Sequence, residues 1–383
     1  MCCLLDFIYK SNDMRIPNEI IRIIVMNYIL VLDMPMPYMY CTGFYSIIET
    51  KNGFLLSGLG FLVPVPTSTT FIPAFSCGRK ILTFSSGVNH QLILTKEGVF
   101  GIGLNTHGQI GQGSVKHSNG AKIDIPNINA IYCGAAFSII KTDEGLFGTG
   151  RNRHGQLGLY DYDDRRQFTK INLSDVIDVS CGSRHSIAMT RGGVYAFGDN
   201  KYCQLIRTDT LETGFIGPVR INLNFNVLTI FCRMKCTFIL STTNQLYACG
   251  NGKYGQFGNG SVLKNKLFGL IISQVVSFCC GDYTTMVLTH DGLFGSGGAT
   301  RPGFGSLVGY PEYRFIKIDI SGDIISFACG GDHALILTTT GLYASGSNEY
   351  GQLGIGNTEI YISYSYEKVN DIILNGPCLL NKY

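Results

Sequence analysis

The side chains best suited to chemistry in this chain are its seven histidines and fourteen cysteines. A histidine can serve as a general base or a metal ligand, and a thiolate as a nucleophile or a zinc ligand. Three of the histidines, His90, His185 and His333, each follow the same short pattern, as in Cys181-Gly-Ser-Arg-His185 and Cys329-Gly-Gly-Asp-His333. Six cysteines (Cys41, Cys133, Cys181, Cys232, Cys280 and Cys329) share one place in successive repeats. Asn105, Asn152 and Asn348 also recur, as do Gln109, Gln156, Gln256 and Gln352. A catalytic centre is built once, whereas these groups are built again and again. Their spacing therefore points to the fold: asparagines closing turns through side-chain to backbone bonds, and histidines held by hydrogen bonds.

The same cysteines are read as small buried thiols of a reducing compartment. Equivalent positions in neighbouring repeats are expected to lie beyond the roughly 7 Å Cα separation that a disulfide spans. Zinc needs clustered pairs such as Cys-x-x-Cys, and there are none; Cys232 and Cys236 have three residues between them and no second pair. No P-loop, His-Glu-x-x-His or Gly-x-Ser-x-Gly motif occurs. The chain is read as a non-enzyme with no cofactor and no metal.

The elements that would position these groups are legible in the glycines. Gly58, Gly103, Gly150, Gly198, Gly250, Gly297 and Gly346 each end a Gly-[Leu/Val]-[Phe/Tyr]-like run, at spacings of 45, 47, 48, 52, 47 and 49 residues. Within one unit, Ser138–Thr142 and Leu146–Thr149 read as two strands around the turn Asp143-Glu144-Gly145, and His185–Thr190 repeats the first of them. Segments such as 168–173 and 176–181 supply two more. Seven units of four strands define an all-β, seven-bladed β-propeller. The absence of capping repeats favours a closed ring over a solenoid. Residues near 38–52 are expected to complete the blade begun by residues near 341–378, so that N- and C-terminal strands clasp the ring and cover its sheet edges.

Composition agrees. The 48 glycines, about 12.5% of 383 residues, exceed the usual roughly 7% without a Gly-X-Y period. Hydrophobic residues at 45% supply a large core, and a net charge of +3 argues against bulk electrostatic binding of nucleic acid. The start of the chain shows no basic, cleavable leader. The apolar run Ile20 to Leu32, interrupted by Arg22 and Asn27, is too short and polar to span a bilayer. These features place the chain inside a cell, in cytoplasm or nucleus. Abundant Ile, Asn, Lys and Tyr suggest an AT-rich genome such as that of a large virus, with a virion as a further location.

The paired signatures Cys181-Gly-Ser-Arg-His-Ser186 and Gly150-Arg-Asn-Arg-His-Gly-Gln-Leu-Gly158 resemble the regulator of chromosome condensation repeat. The second recurs at 103–111, 250–258 and 346–354, and the resemblance covers about residues 38–378. It implies a seven-bladed propeller. Three copies depart from the pattern: the first past Gly58, the fourth with Cys203 and Ile206 in place of glycines, and the sixth at 297–305. Proteins of this family include an exchange factor for a small GTPase, ubiquitin-ligase domains, a β-lactamase inhibitor and a tryptophan-based photoreceptor. This chain has no tryptophan, which excludes the last mechanism. The family's basic chromatin-binding tail is also missing: residues 1–37 carry three basic and four acidic side chains.

The chain divides into an N-terminal segment, 1–37, and the propeller, 38–383. In the first, Ile16-Pro17-Asn18-Glu19-Ile20 opens a run that reads as a helix to Ile29, apolar on both sides, with Ile20 and Ile24 on one face. It resembles the start of an F-box. Two loops stand out from the repeats: Arg151, Arg153 and His154 with the run Asp161–Arg166, which contains Arg165 and Arg166, and residues 207–217. Loops on a rigid scaffold are the usual binding sites. The reading is a scaffold that binds a protein partner, or a substrate adaptor. The alternatives are a self-associating structural or packaging component and a guanine-nucleotide exchange factor.

Overall fold

The computed structural model describes residues 39–41, 45–50, 53–58, 68–73, 81–205, 214–261, 265–298, 312–356 and 362–369. These residues form seven four-stranded antiparallel sheets, each from one contiguous stretch. The blades comprise residues 39–73, 81–123, 128–171, 176–221, 227–272, 275–317 and 324–368. No helix occurs among the described residues. The segment 16–29, expected as a helix, lies outside them.

Blade 4 shows why the sequence folds this way. Its strands are Val176–Cys181, His185–Thr190, Gly193–Gly198 and Phe215–Ile221, paired in that order. The second strand is sandwiched within its sheet and between neighbouring blades, and every residue of it is buried. Burial on both faces is why Ile187, Ala188 and Met189 follow one another without polar alternation, and why the polar His185, Ser186 and Thr190 are each hydrogen-bonded. Thr190 closes the turn to the third strand: its Oγ1 donates to the Gly193 carbonyl at 2.9 Å and accepts from the Gly192 amide at 3.0 Å. The third strand ends at Gly198, whose φ of +104° and tight approach to the Arg184 carbonyl leave no room for a side chain. All seven periodic glycines stand in the third strand of their blade, at its end or within one residue of it.

The core lies between blades. Ile187, Met189, Val194 and Ala196 of blade 4 pack on Ile230, Cys232 and Ile239 of blade 5. The Leu of each Gly-Gln-Leu-Gly unit is a fully buried plug: Ile110, Leu157, Leu205, Phe257 and Leu353 have no exposed surface.

Ring closure departs from the expected clasp. Residues 39–50 do not enter the last blade. They pair with Gly53–Gly58 in a first sheet of their own, and Ile362–Lys368 supplies the fourth strand of blade 7. Closure comes from packing: Met39, Cys41 and Ile48 of blade 1 bury against Ala328, Leu335, Leu342 and Val369 of blade 7. The last repeat carries its own fourth strand, so no strand needs to be borrowed. Blade 1, despite its departure from the pattern after Gly58, likewise gains a fourth strand at Ser68–Pro73.

Candidate interaction face

The recurring polar residues are consumed by the junctions between blades. His185 Nε2 lies 3.0 Å from Thr237 Oγ1 of the next blade, and that hydroxyl donates to the Gln204 carbonyl at 2.7 Å. A hydroxyl has one proton, so the imidazole must donate from Nε2. The same arrangement joins His90 to Ser138 (2.9 Å), which donates to the Gln109 carbonyl, and His333 to Ser46 (2.8 Å), which donates to the Gln352 carbonyl. Burial pushes His90 and His185 down to about 4 and His333 to about 3, with Arg233 adding to the effect at His333. Neutral, enclosed imidazoles committed to a neighbour are structural ties.

The motif loops are equally self-contained. Asn152 Oδ1 accepts from the Leu157 amide, as Asn105 does from Ile110, Asn200 from Leu205 and Asn348 from Leu353, at 2.8 to 3.1 Å. The buried Gln156 accepts from the His154 amide through Oε1 at 2.9 Å, and Gln109, Gln256 and Gln352 repeat the bond.

The described cysteines are all free. Those at the repeat position sit where the inner strands meet: the Cys133 and Cys232 amides donate to Ser85 Oγ and Ser180 Oγ of the preceding blade. Burial raises the Cys133 thiol to about 11 and Cys41 and Cys232 to about 12. Cys279, which is not a repeat cysteine, stands at the serine position of blade 6, with its sulfur 2.9 Å from Cys329. Sequence spacing missed this pair because only aligning the strands shows that position 279 faces the next blade. Among the described residues, no group of three or more His, Cys, Asp or Glu side chains is arranged to hold a metal. No helix among them is long and apolar enough to cross a membrane.

One face remains open to chemistry. First and third strands of every blade end on the same side of the ring, so the turns after them share that face. In blade 3 it carries Arg151, Arg153 and His154; in blade 4, Arg184 and Lys201; in blade 5, Arg233, Lys235 and Lys253. Blades 6 and 7 instead present Asp282, Asp332 and Glu349. The surface is rigid. Ser183 of blade 4 donates its amide to the Met234 carbonyl of blade 5 at 2.9 Å, Lys235 covers the Tyr202 ring at 4.3 Å, and Arg233 pairs with Asp282 at 2.6 Å.

The sequence-derived loop residues separate here. Arg165 pairs with Asp161 and donates to the Asp163 carbonyl, so its charge is spent inside its own loop. Asp164 binds the Asn152 amide and faces His107 and Arg153 at 3.4 and 4.0 Å. Arg166 is exposed on the fourth strand, away from the others. His154 feels the charges of Arg151 and of Arg184 of the next blade, the latter a residue that sequence reasoning passed over as one more position of the Cys-Gly-x-x-His motif. Ile16, Pro17, Glu19, Ile20 and Ile24 lie outside the described residues, as do 207–213 of the second loop.

Two models of the regulator of chromosome condensation (RCC1) repeat match the chain, one at 143–189 and 243–288 and the other at 176–204 and 324–352. The chain thus carries RCC1 repeats. Human WBSCR16 is similar in structure, with a TM-score of 0.68 and 22% identity over 78% of this chain and 85% of its own. Yeast RCC1 (Prp20), in its complex with Kap60, gives 0.66 and 19% over 77% and 76%. Prp20p from Saccharomyces cerevisiae, studied with its binding to Gsp1p and histones, gives 0.64 and 18% over 82% and 83%. At these identities the likeness concerns the fold, which is that of an RCC1-type β-propeller.

Proposed function

We propose that this protein is a non-enzymatic interaction scaffold, and that it binds a protein partner through the face formed by the turns after the first and third strands. One observation carries this reading. The recurring His, Cys, Asn and Gln groups are spent on holding blades together, while basic side chains of three consecutive blades are placed on that face. Loops fixed by a rigid frame are suited to recognition, because little entropy is lost on binding. That yeast RCC1 is found with Kap60 and that Prp20p binds Gsp1p and histones supports a role in protein binding.

The test is affinity purification with three baits: the wild-type chain, Arg184→Glu with Lys253→Glu on this face, and Arg191→Glu with Lys317→Glu on the opposite face. A partner lost with the first pair and kept with the second is expected. Equal retention by both variants would remove the face from the account.

A further inference from the structure

Three features outside the inter-blade ties invite a ligand: a crevice of about 360 Å³ floored by Leu288, Leu293, Ile318 and Ile320 at blades 6 and 7, the Cys279–Cys329 pair, and the basic sector of the loop face. The crevice has an acidic rim and nothing that shows its occupant. The thiols lie in the junction between blades. The basic sector combines charge, placement and an unsatisfied group.

We infer that the basic sector over blades 3 to 5 binds an extended acidic segment of a protein partner, with one carboxylate seated among Arg151, His154 and Arg184. This rests on the scaffold reading above. The seat is built across a blade junction. Arg151 follows the third strand of blade 3, its amide held by the Ala136 carbonyl at 2.9 Å. His154 lies in the same loop, which packs on blade 4 where Gly155 meets the backbone of Phe215 and Ile216. Arg184 heads the first turn of blade 4, its carbonyl accepting from the Asp199 amide at 2.8 Å. His154 thus feels the charges of Arg151, Arg184 and the acid Asp199, which is 7% exposed and whose Oδ1 already accepts from the Lys201 amide. Arg151 Nε is buried and has no hydrogen-bond partner. The rest of the side chain is half-buried, and a carboxylate would accept from its guanidinium in a charge-assisted bond. Burial lowers the His154 pKa, and Arg184 and Arg151 lower it further against the pull of Asp199. An added carboxylate reverses that balance and draws a proton onto the ring.

The surroundings favour a peptide over a nucleic acid. Two aromatic rings of the face are occupied: Tyr202 lies under Lys235, and Tyr254 meets Tyr283 edge-on at 4.5 Å, leaving neither free to stack a base.

The experiment measures fluorescence anisotropy of a labelled octaglutamate peptide and of a labelled thymidine octanucleotide against the full chain. The expected result is salt-sensitive peptide binding that exceeds oligonucleotide binding. It should weaken at least tenfold in Arg151→Gln with Arg184→Gln, and stay unchanged in Arg191→Gln with Lys317→Gln. Binding should tighten from pH 7 to pH 6, and His154→Gln should flatten that dependence; thermal melts confirm that each variant folds. Oligonucleotide binding as tight as peptide binding, or equal loss in both double variants, overturns the proposal. If the peptide fails to bind while affinity purification still yields a partner lost on Arg184→Glu with Lys253→Glu, the acidic segment is wrong and the scaffold reading stands. If both fail, both are wrong.

Discussion

His333 Nε2 stands 2.8 Å from Ser46 Oγ, and through this bond the last blade is tied to the first. The two residues are 287 positions apart, yet their geometry is that of His185 with Thr237 inside the ring. The closing junction is therefore one more copy of the ordinary junction. Ser46→Ala removes both the acceptor for His333 and the donor to the Gln352 carbonyl. Leaving two buried groups unpaired should cost about 2 kcal/mol or more, measured by urea unfolding. Thr237→Val, which keeps the shape and removes the same pair of bonds, should cost a similar amount. A Ser46→Ala cost near zero would mean that the ring is closed by apolar packing alone.

The three tied imidazoles set an acid limit. Each has a folded pKa depressed from about 6.5 to about 4, 4 and 3. Above pH 6.5 neither folded nor unfolded chain protonates these rings, and the stability is constant. Below it the unfolded chain takes up protons that the folded chain refuses, so stability falls as pH drops from about 6.5 toward 4. With three sites the slope approaches about 4 kcal/mol per pH unit. Urea midpoints between pH 7 and pH 5 check this, and a His185→Gln variant should show a shallower slope. A flat profile over that range would mean that water reaches the rings.

These ties mark what sequence could and could not show. The period of seven glycines fixes blade number and strand order, because each glycine answers a local backbone demand. Asn152 and Gln156 are legible for the same reason, since their bonds close within five residues. The clasp was misjudged because the last repeat reads as if it stops short; whether Ile362–Lys368 pairs with Gly341–Ser347 depends on a contact across an intervening loop. Arg184 was invisible as a site residue because its significance comes from Arg151 and His154 of another blade.

Gly182 separates a packing role from a flexibility role. A Cβ placed there would lie 2.1 Å from His185 Cε1 and 2.5 Å from its Nδ1, so the glycine of the Cys-Gly-x-x-His pattern makes room for the histidine ring three positions on. Gly182→Ala should displace the imidazole and destabilise the chain by about 1 to 3 kcal/mol. At Gly192 the nearest atom to such a Cβ is Thr190 Oγ1, at 3.6 Å. Gly192→Ala should therefore stabilise by about 0.5 kcal/mol through the unfolded chain. Thermal melts of the two variants should move in opposite directions, and a shared direction would show that the ring does not set the requirement.

Cys203 tests the departure of the fourth repeat from its pattern. It stands where Gly108, Gly155, Gly255 and Gly351 stand in other blades, and it keeps their left-handed backbone, with φ of +63° against +83°, +75°, +79° and +78°. The loop around it is intact: its amide donates to the Asn200 carbonyl at 2.8 Å, and Asn200 Oδ1 receives the Leu205 amide at 2.9 Å. The repeat has thus kept the turn and accepted strain. A side chain in this region costs about 1 to 2 kcal/mol, and glycine costs about 0.5 to 1 kcal/mol through its freer unfolded state. Cys203→Gly should then raise stability by about 0.5 to 1 kcal/mol, read as a higher urea midpoint at unchanged slope. Cys203→Ala keeps the strain and should show no gain. If the glycine variant is the less stable of the two, the half-buried thiol contributes more through packing than the backbone loses, and blade 4 has found a different solution to the same turn.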